Sequence, residues 1–114
     1  MNSPHIREQW QVLADGLSLR TRAFINGQYV DAVSGATFDC ISPIDGRVLG
    51  RIADGGQLDI DHAVAAARRS FNAGHWAGVK PVKRKQVLLK LAVLVEAHAD
   101  ELALLETLDM GKPV

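Results

Sequence analysis

The sequence predicts an α+β fold: a short N-terminal helix, two antiparallel β-hairpins, then two or three helices. Three observations lead there. Asn26-Gly27 and Pro43-Ile44-Asp45-Gly46 are turn signals, each set between two short strand-like runs. From about residue 57 onward the apolar residues recur at helical spacing instead. Strands and helices also fall in separate blocks, so there is no βαβ alternation from which a parallel sheet could be built.

Residues 1–20 read as an N-terminal arm. Ser3 followed by Pro4 suits a helix start, a hydroxyl cap before a proline at the first helical position. Ile6, Trp10 and Leu13 follow at helical spacing, and Gly16 is a natural stop. Such a helix has little to pack on within its own chain. Residues 21–114 form the rest. AFINGQYVD carries the first hairpin, because Asn-Gly tolerates positive φ at both centres of a type I′ turn. ATFDCIS and RVLGRIA form the second. Four such strands make a small antiparallel unit, marginal unless something covers one face.

A helix is predicted over about 57–73. Gly56 caps it, Asp59 and Asp61 sit in its first turn, and Ile60, Val64, Ala67 and Phe71 form the stripe to be buried. Its alanines allow a neighbour to approach closely. A longer helical region runs over about 81–109, opened by Pro81. Val87, Leu88, Leu91, Leu94 and Val95 make a wide apolar face, and Leu102, Leu105 and Leu108 resume it after a polar break at 98–101. That predicts one bent helix or two helices meeting near His98. Gly111 and Pro113 end it. The apolar face is larger than the rest of the chain can cover.

Composition narrows the function classes. The 114 residues are 47% hydrophobic and 23% charged, which is globular. Lys+Arg and Asp+Glu both number 13, so the formal net charge is zero, which argues against nucleic acid as a partner and leaves self-association open. The most apolar stretch, VLLKLAVLV, is too short to span a membrane, and the N-terminus lacks the pattern of a signal peptide. The single cysteine, Cys40, permits no internal disulfide and fits a reducing, cytoplasmic setting.

No complete site emerges from the residues alone. Cys40 lies in a predicted strand with no base nearby in sequence, the usual situation of a small buried hydrophobe. His5, His62, His75 and His98 show no metal-ligand spacing. Gly111-Lys112 fails the P-loop pattern, because Glu106 and Pro113 stand where a glycine and a Ser or Thr are needed. Lys80, Lys83, Arg84 and Lys85 read as a solvated face, with an intersubunit ion-pair patch as the alternative. Glu106 and Asp109 share one helical face, which suits a cation or a solvated helix end better than acid–base work.

Several blocks in order nevertheless resemble the aldehyde dehydrogenase superfamily. FINGQYVDAVSGATFDCISPIDGRVLGRIADG is similar to its opening β region, and LDIDHAVAAARRSFNAGHW to its first helix. PVKRKQVLLKLAVLVEAHADELALLETLDMGKPV is similar to its second helical stretch. The resemblance runs from about Arg22 to the end. The ending ELALLETLDMGKP and the tryptophan-bearing arm resemble the branch that oxidises ω-amino aldehydes from polyamine or arginine breakdown, which includes γ-glutamyl-γ-aminobutyraldehyde and 4-guanidinobutyraldehyde dehydrogenases.

The resemblance implies an enzyme that oxidises an aldehyde to its acid with NAD or NADP and forms homo-oligomers at full length. It also implies that residues 21–114 are an incomplete N-terminal part of the cofactor-binding domain, without its Rossmann sheet. None of the family's catalytic or cofactor-binding residues maps onto this chain, and Cys40 falls well before the nucleophile motif. The expectation is a truncated dehydrogenase, inactive alone and without a cofactor site. One feature carries over: a monovalent cation site for K+ or Na+, with backbone oxygens at Cys40 and Ile41 and the carboxylate of Asp109, completed by a residue beyond Val114. The alternative is a non-catalytic module that docks to a full-length paralogue or to itself through the exposed helix face.

Overall fold

The computed structural model describes residues 6–113. The Ser3-Pro4 helix start and His5 lie outside them. The element order is α1 (Arg7–Gly16), β1 (Ala23–Ile25), β2 (Gln28–Val30), β3 (Thr37–Ile41), β4 (Val48–Ala53), α2 (Gln57–Asn72), α3 (Pro81–Ala97) and α4 (Ala99–Met110). This is the predicted α+β arrangement, with the last helical region divided at His98.

The strands form two separate two-stranded antiparallel sheets, β1–β2 and β3–β4, instead of one four-stranded unit. The first closes through Asn26 and Gly27 at φ 53° and 78°, the positive pair that a type I′ turn demands. Asp54 donates to the carbonyl of Ala36 at 2.9 Å and extends the β3–β4 hairpin by one rung, while Ala53 donates to the carbonyl of Thr21 at 2.8 Å, just before β1. The bond to Thr21 links the two hairpin regions without a continuous ladder.

Asp59 fixes α2 to the hairpins. Its carboxylate is buried (7% exposed) and accepts from the N–H of Gly56 at 2.9 Å and of Val33 at 3.0 Å. One oxygen thus caps the helix start while the other holds the turn that follows β2. The expected burial of Ile60, Val64 and Phe71 is corrected: all three are exposed. The side of α2 that carries Ala65 and Ala66 lies beside Ile25, Val30 and Val33 of the β1–β2 region instead. Ala66 is half-buried there, while the bulkier stripe is uncovered.

The expectation that the first helix has little to pack on is also corrected. α1 packs against α4. Leu13 and Leu17 lie beside Leu104, which at 4% exposure is the most buried apolar side chain among the described residues. The accessible surface is 9246 Å2, against about 6,100 Å2 for a compact chain of this mass. The radius of gyration is 17.9 Å, where about 13 Å is usual at this length. The molecule is a slab of 48 × 42 × 19 Å with one small buried corner.

Candidate functional site

Chemistry-bearing side chains converge at one place, where the end of α4 lies against β3–β4. Two local features shape it. Gly111 takes φ 72° and ends α4 in the left-handed conformation, its N–H bonded to the Thr107 carbonyl. A Cβ on Gly111 would stand 3.3 Å from Pro43 Cγ, so the missing side chain also lets the 42–47 turn close over the helix end. On the sheet side the register slips between Cys40 and Ile41, which pair with Gly50 and Val48, so Leu49 is the extra residue of a β-bulge.

Between helix and bulge lies a groove of about 380 Å3. Leu19, Leu49, Ile52 and Leu105 give it apolar walls; Cys40, Glu106 and Asp109 supply its polar atoms, with Arg20 at the border. The Cys40 thiol donates to Asp109 Oδ1 at 3.5 Å, across 69 residues of sequence. Desolvation, the bond to Asp109 and the negative charge of that carboxylate all push the Cys40 thiol above its ordinary pKa. A thiol so placed stays protonated near neutral pH, the reverse of what activates a nucleophilic cysteine. Cys40 is therefore poorly suited to attack a carbonyl.

The other sequence candidates scatter. Glu106 reaches Lys112 Nζ at 3.7 Å, an exposed helix-end pair. His98 Nδ1 lies 3.1 Å from Glu101 Oε2, while His62 and His75 are exposed. Lys80, Lys83 and Lys85 are exposed and Arg84 is half-buried, in keeping with a solvated face. No group of three or more His, Cys, Asp or Glu side chains capable of holding a metal forms among the described residues.

A cation at this corner would have to rest on backbone oxygens and one carboxylate. Of the three predicted positions, Cys40 and Asp109 meet through the thiol bond, and Ile41 is the next residue of β3. The bulge sets the unpaired residue, Leu49, opposite the step between Cys40 and Ile41. Hard oxygen donors of this kind fit a monovalent cation.

Residues 29–114 match the aldehyde dehydrogenase family, well over half of the chain. The chain belongs to the aldehyde dehydrogenase family. It is 50% identical over its whole length to the NADP/NAD-dependent aldehyde dehydrogenase PuuC of Escherichia coli, covering 23% of that protein. It is 45% identical to the aminoacetaldehyde dehydrogenase of Pseudomonas aeruginosa over 95% of this chain and 22% of that one. Among solved structures, the γ-glutamyl-γ-aminobutyraldehyde dehydrogenase of Burkholderia cenocepacia superposes with a TM-score of 0.90 at 58% identity, over 93% of this chain and 22% of that one. An indole-3-acetaldehyde dehydrogenase of P. syringae, solved with NAD+, superposes at 0.93 with 49% identity, over 96% of this chain and 22% of that one. The chain thus spans between a fifth and a quarter of the length of these aldehyde dehydrogenases.

Residue-by-residue reading singled out Cys40, Glu106 and Asp109 but missed the rest of what this corner depends on. Leu19 and Arg20 reach the groove from a segment with no pattern of its own. The Pro43–Gly111 contact left one trace, a glycine at a helix end, which many helices have. Among the described residues no helix is long and apolar enough to cross a membrane.

Proposed function

We propose that this chain is the leading, non-chemical part of an NAD(P)-dependent aldehyde dehydrogenase acting on ω-amino aldehydes, and that alone it turns over no substrate. The carrying observation is the state of Cys40. It is the only thiol in the sequence, it donates to Asp109, and its pKa is raised rather than lowered. The thiolate on which aldehyde oxidation by this family depends must then come from elsewhere. The cofactor, NAD or NADP, supplies the hydride acceptor; the part of this chain is to build the corner against which the rest of the enzyme is assembled. Relatives named for γ-glutamyl-γ-aminobutyraldehyde and aminoacetaldehyde support the substrate class. A lone thiol supports a reducing, cytoplasmic setting. K+ or Na+ is proposed at the backbone oxygens of Cys40 and Ile41 and the carboxylate of Asp109.

The test uses two proteins. The purified 114-residue chain, given NAD or NADP and an ω-amino aldehyde, should form no reduced cofactor. A hybrid in which it replaces the matching region of the B. cenocepacia enzyme should oxidise the aldehyde. Turnover by the chain alone, or a hybrid without activity, overturns the reading. A second reading, a module that docks to a longer dehydrogenase or to a copy of itself, is favoured by the bare apolar surface of α3. A concentration-independent monomer that captures no dehydrogenase would refute it.

A further inference from the structure

A second groove lies away from the α4 corner, between α2 and the β1–β2 hairpin. Its volume is about 430 Å3, within the usual range for small-molecule sites. Ile25, Val30, Val33 and Ala66 give it an apolar floor. Its polar side chains divide into two sets. Both of its carboxylates are already committed: Asp59 accepts from Gly56 and Val33, and Asp31 is ion-paired with Arg22 at 3.1 Å. Its donors are not. The side chains of Asn26, Gln28 and Arg69 are exposed and make no hydrogen bond or ion pair with any described residue. At the rise of a helix, Arg69 stands about 15 Å along α2 from Asp59, so its guanidinium is well removed from that carboxylate. The groove therefore offers one uncommitted cation and two uncommitted carboxamides above an apolar floor.

We propose that this groove binds a small aliphatic monocarboxylate. Arg69 takes the acid group through paired N–H···O bonds, the geometry for which a guanidinium is suited. Asn26 and Gln28 donate from the hairpin side, and the alkyl chain lies on the floor. The charges select this ligand class. One guanidinium matches one carboxylate. A phosphate favours further cations or free N–H groups at a helix start, and here Asp59 already holds the N–H of Gly56 just ahead of α2. Asp31 and Asp59 also repel a dianion. An amine meets no uncommitted acid. The floor in turn favours a chain over a bare anion, each buried methylene strengthening binding roughly fourfold. The groove lies wholly within this chain, so the site stands with or without the rest of a dehydrogenase.

The experiment titrates hexanoate into the isotope-labelled 114-residue chain and follows the amide chemical shifts, with hexylamine and inorganic phosphate as the opposing probes. Hexanoate should move the amides of residues 25–33 and 59–69 and saturate with a Kd of about 1 mM or below. Hexylamine and phosphate should bind at least about tenfold more weakly. Arg69→Gln should weaken hexanoate at least about tenfold. Arg68→Gln removes the neighbouring guanidinium, which stacks on Phe71 and does not line the groove, and should leave binding within about twofold. Shifts that fail to saturate by about 20 mM overturn the proposal. Undiminished binding in Arg69→Gln does the same, as does hexylamine or phosphate binding as tightly as hexanoate. Saturable shifts confined to α3 would assign hexanoate to the bare apolar surface there and overturn it as well.

Discussion

α3 and α4 are consecutive helices, separated only by His98, yet they stand in opposite conditions. α4 has neighbours on two sides: α1 across Leu104, and β3–β4 across the groove that holds Cys40 and Asp109. α3 has its main contact with α4 and carries eight half-exposed aliphatic side chains. The difference is one of sequence separation. What α4 needs lies earlier in the same chain, at Leu13, Leu17, Cys40 and Pro43. What α3 needs is not among the described residues. High hydrophobicity therefore says that a helix is to be buried, and nothing about whether its cover is present.

The contrast is sharpest in a pair of alanine substitutions. Leu104→Ala should destabilise by about 2–5 kcal/mol, enough to remove the cooperative urea transition of the chain, because a buried leucine is lost. Leu91→Ala should change the same transition by less than about 0.5 kcal/mol, since Leu91 already faces solvent. In the hybrid enzyme Leu91→Ala should rise to the cost of a core truncation. Equal effects of the two in the isolated chain would break the comparison.

Asp59→Ala removes the acceptor of two N–H groups and should cost about 1–3 kcal/mol by urea unfolding. The loss should appear as release of α2 from the turn after β2, seen as faster amide exchange at Val33. Gly111→Ala should cost about 1–2 kcal/mol, since it puts a side chain in the left-handed region and against Pro43. Gly16→Ala, with open space around it, is the matched control.

The smallest effect concerns pH. The folded chain holds the Cys40 thiol above its ordinary pKa, so the protonated form is the one the fold favours. That contribution is fully present below the unfolded thiol pKa and is lost as pH rises through the folded value. Asp45 runs the other way. The Arg47 N–H lowers its pKa first of all, outweighing desolvation, with Ser42 and the Arg47 charge adding less. Its contribution is present above the unfolded carboxyl pKa and fades as pH falls through the folded one. Asp109→Asn should therefore lower the pH at which Cys40 becomes alkylated. An unchanged labelling profile would mean that Asp109 does not govern the thiol.

Much of this arrangement was legible in the sequence. Asn26-Gly27, Gly56 and Gly111 mark turns and caps whose geometry is decided within a few residues, and the structure puts boundaries there. The break near His98 followed from the polar interruption at 98–101. The site was partly legible: Cys40 and Asp109, two of the positions the family resemblance implied, lie in contact. What local pattern could not supply was everything decided by distant partners. Ile60, Val64 and Phe71 have the right period for burial but face solvent, and the side of α2 with Ala66 is the one turned to the β1–β2 region. Leu17 and Leu104 carry no mark of their meeting. Asp59 reads as an acidic residue in the first turn of a helix, and nothing near it in sequence points to Val33.

The most direct test is amide hydrogen exchange on the isolated chain and on the hybrid enzyme. The account predicts slow exchange in α4 and β3–β4 of both proteins, and slow exchange in α3 of the hybrid alone. Protection of α3 equal to that of α4 in the isolated, monomeric chain would contradict it, because α3 would then be complete without a cover.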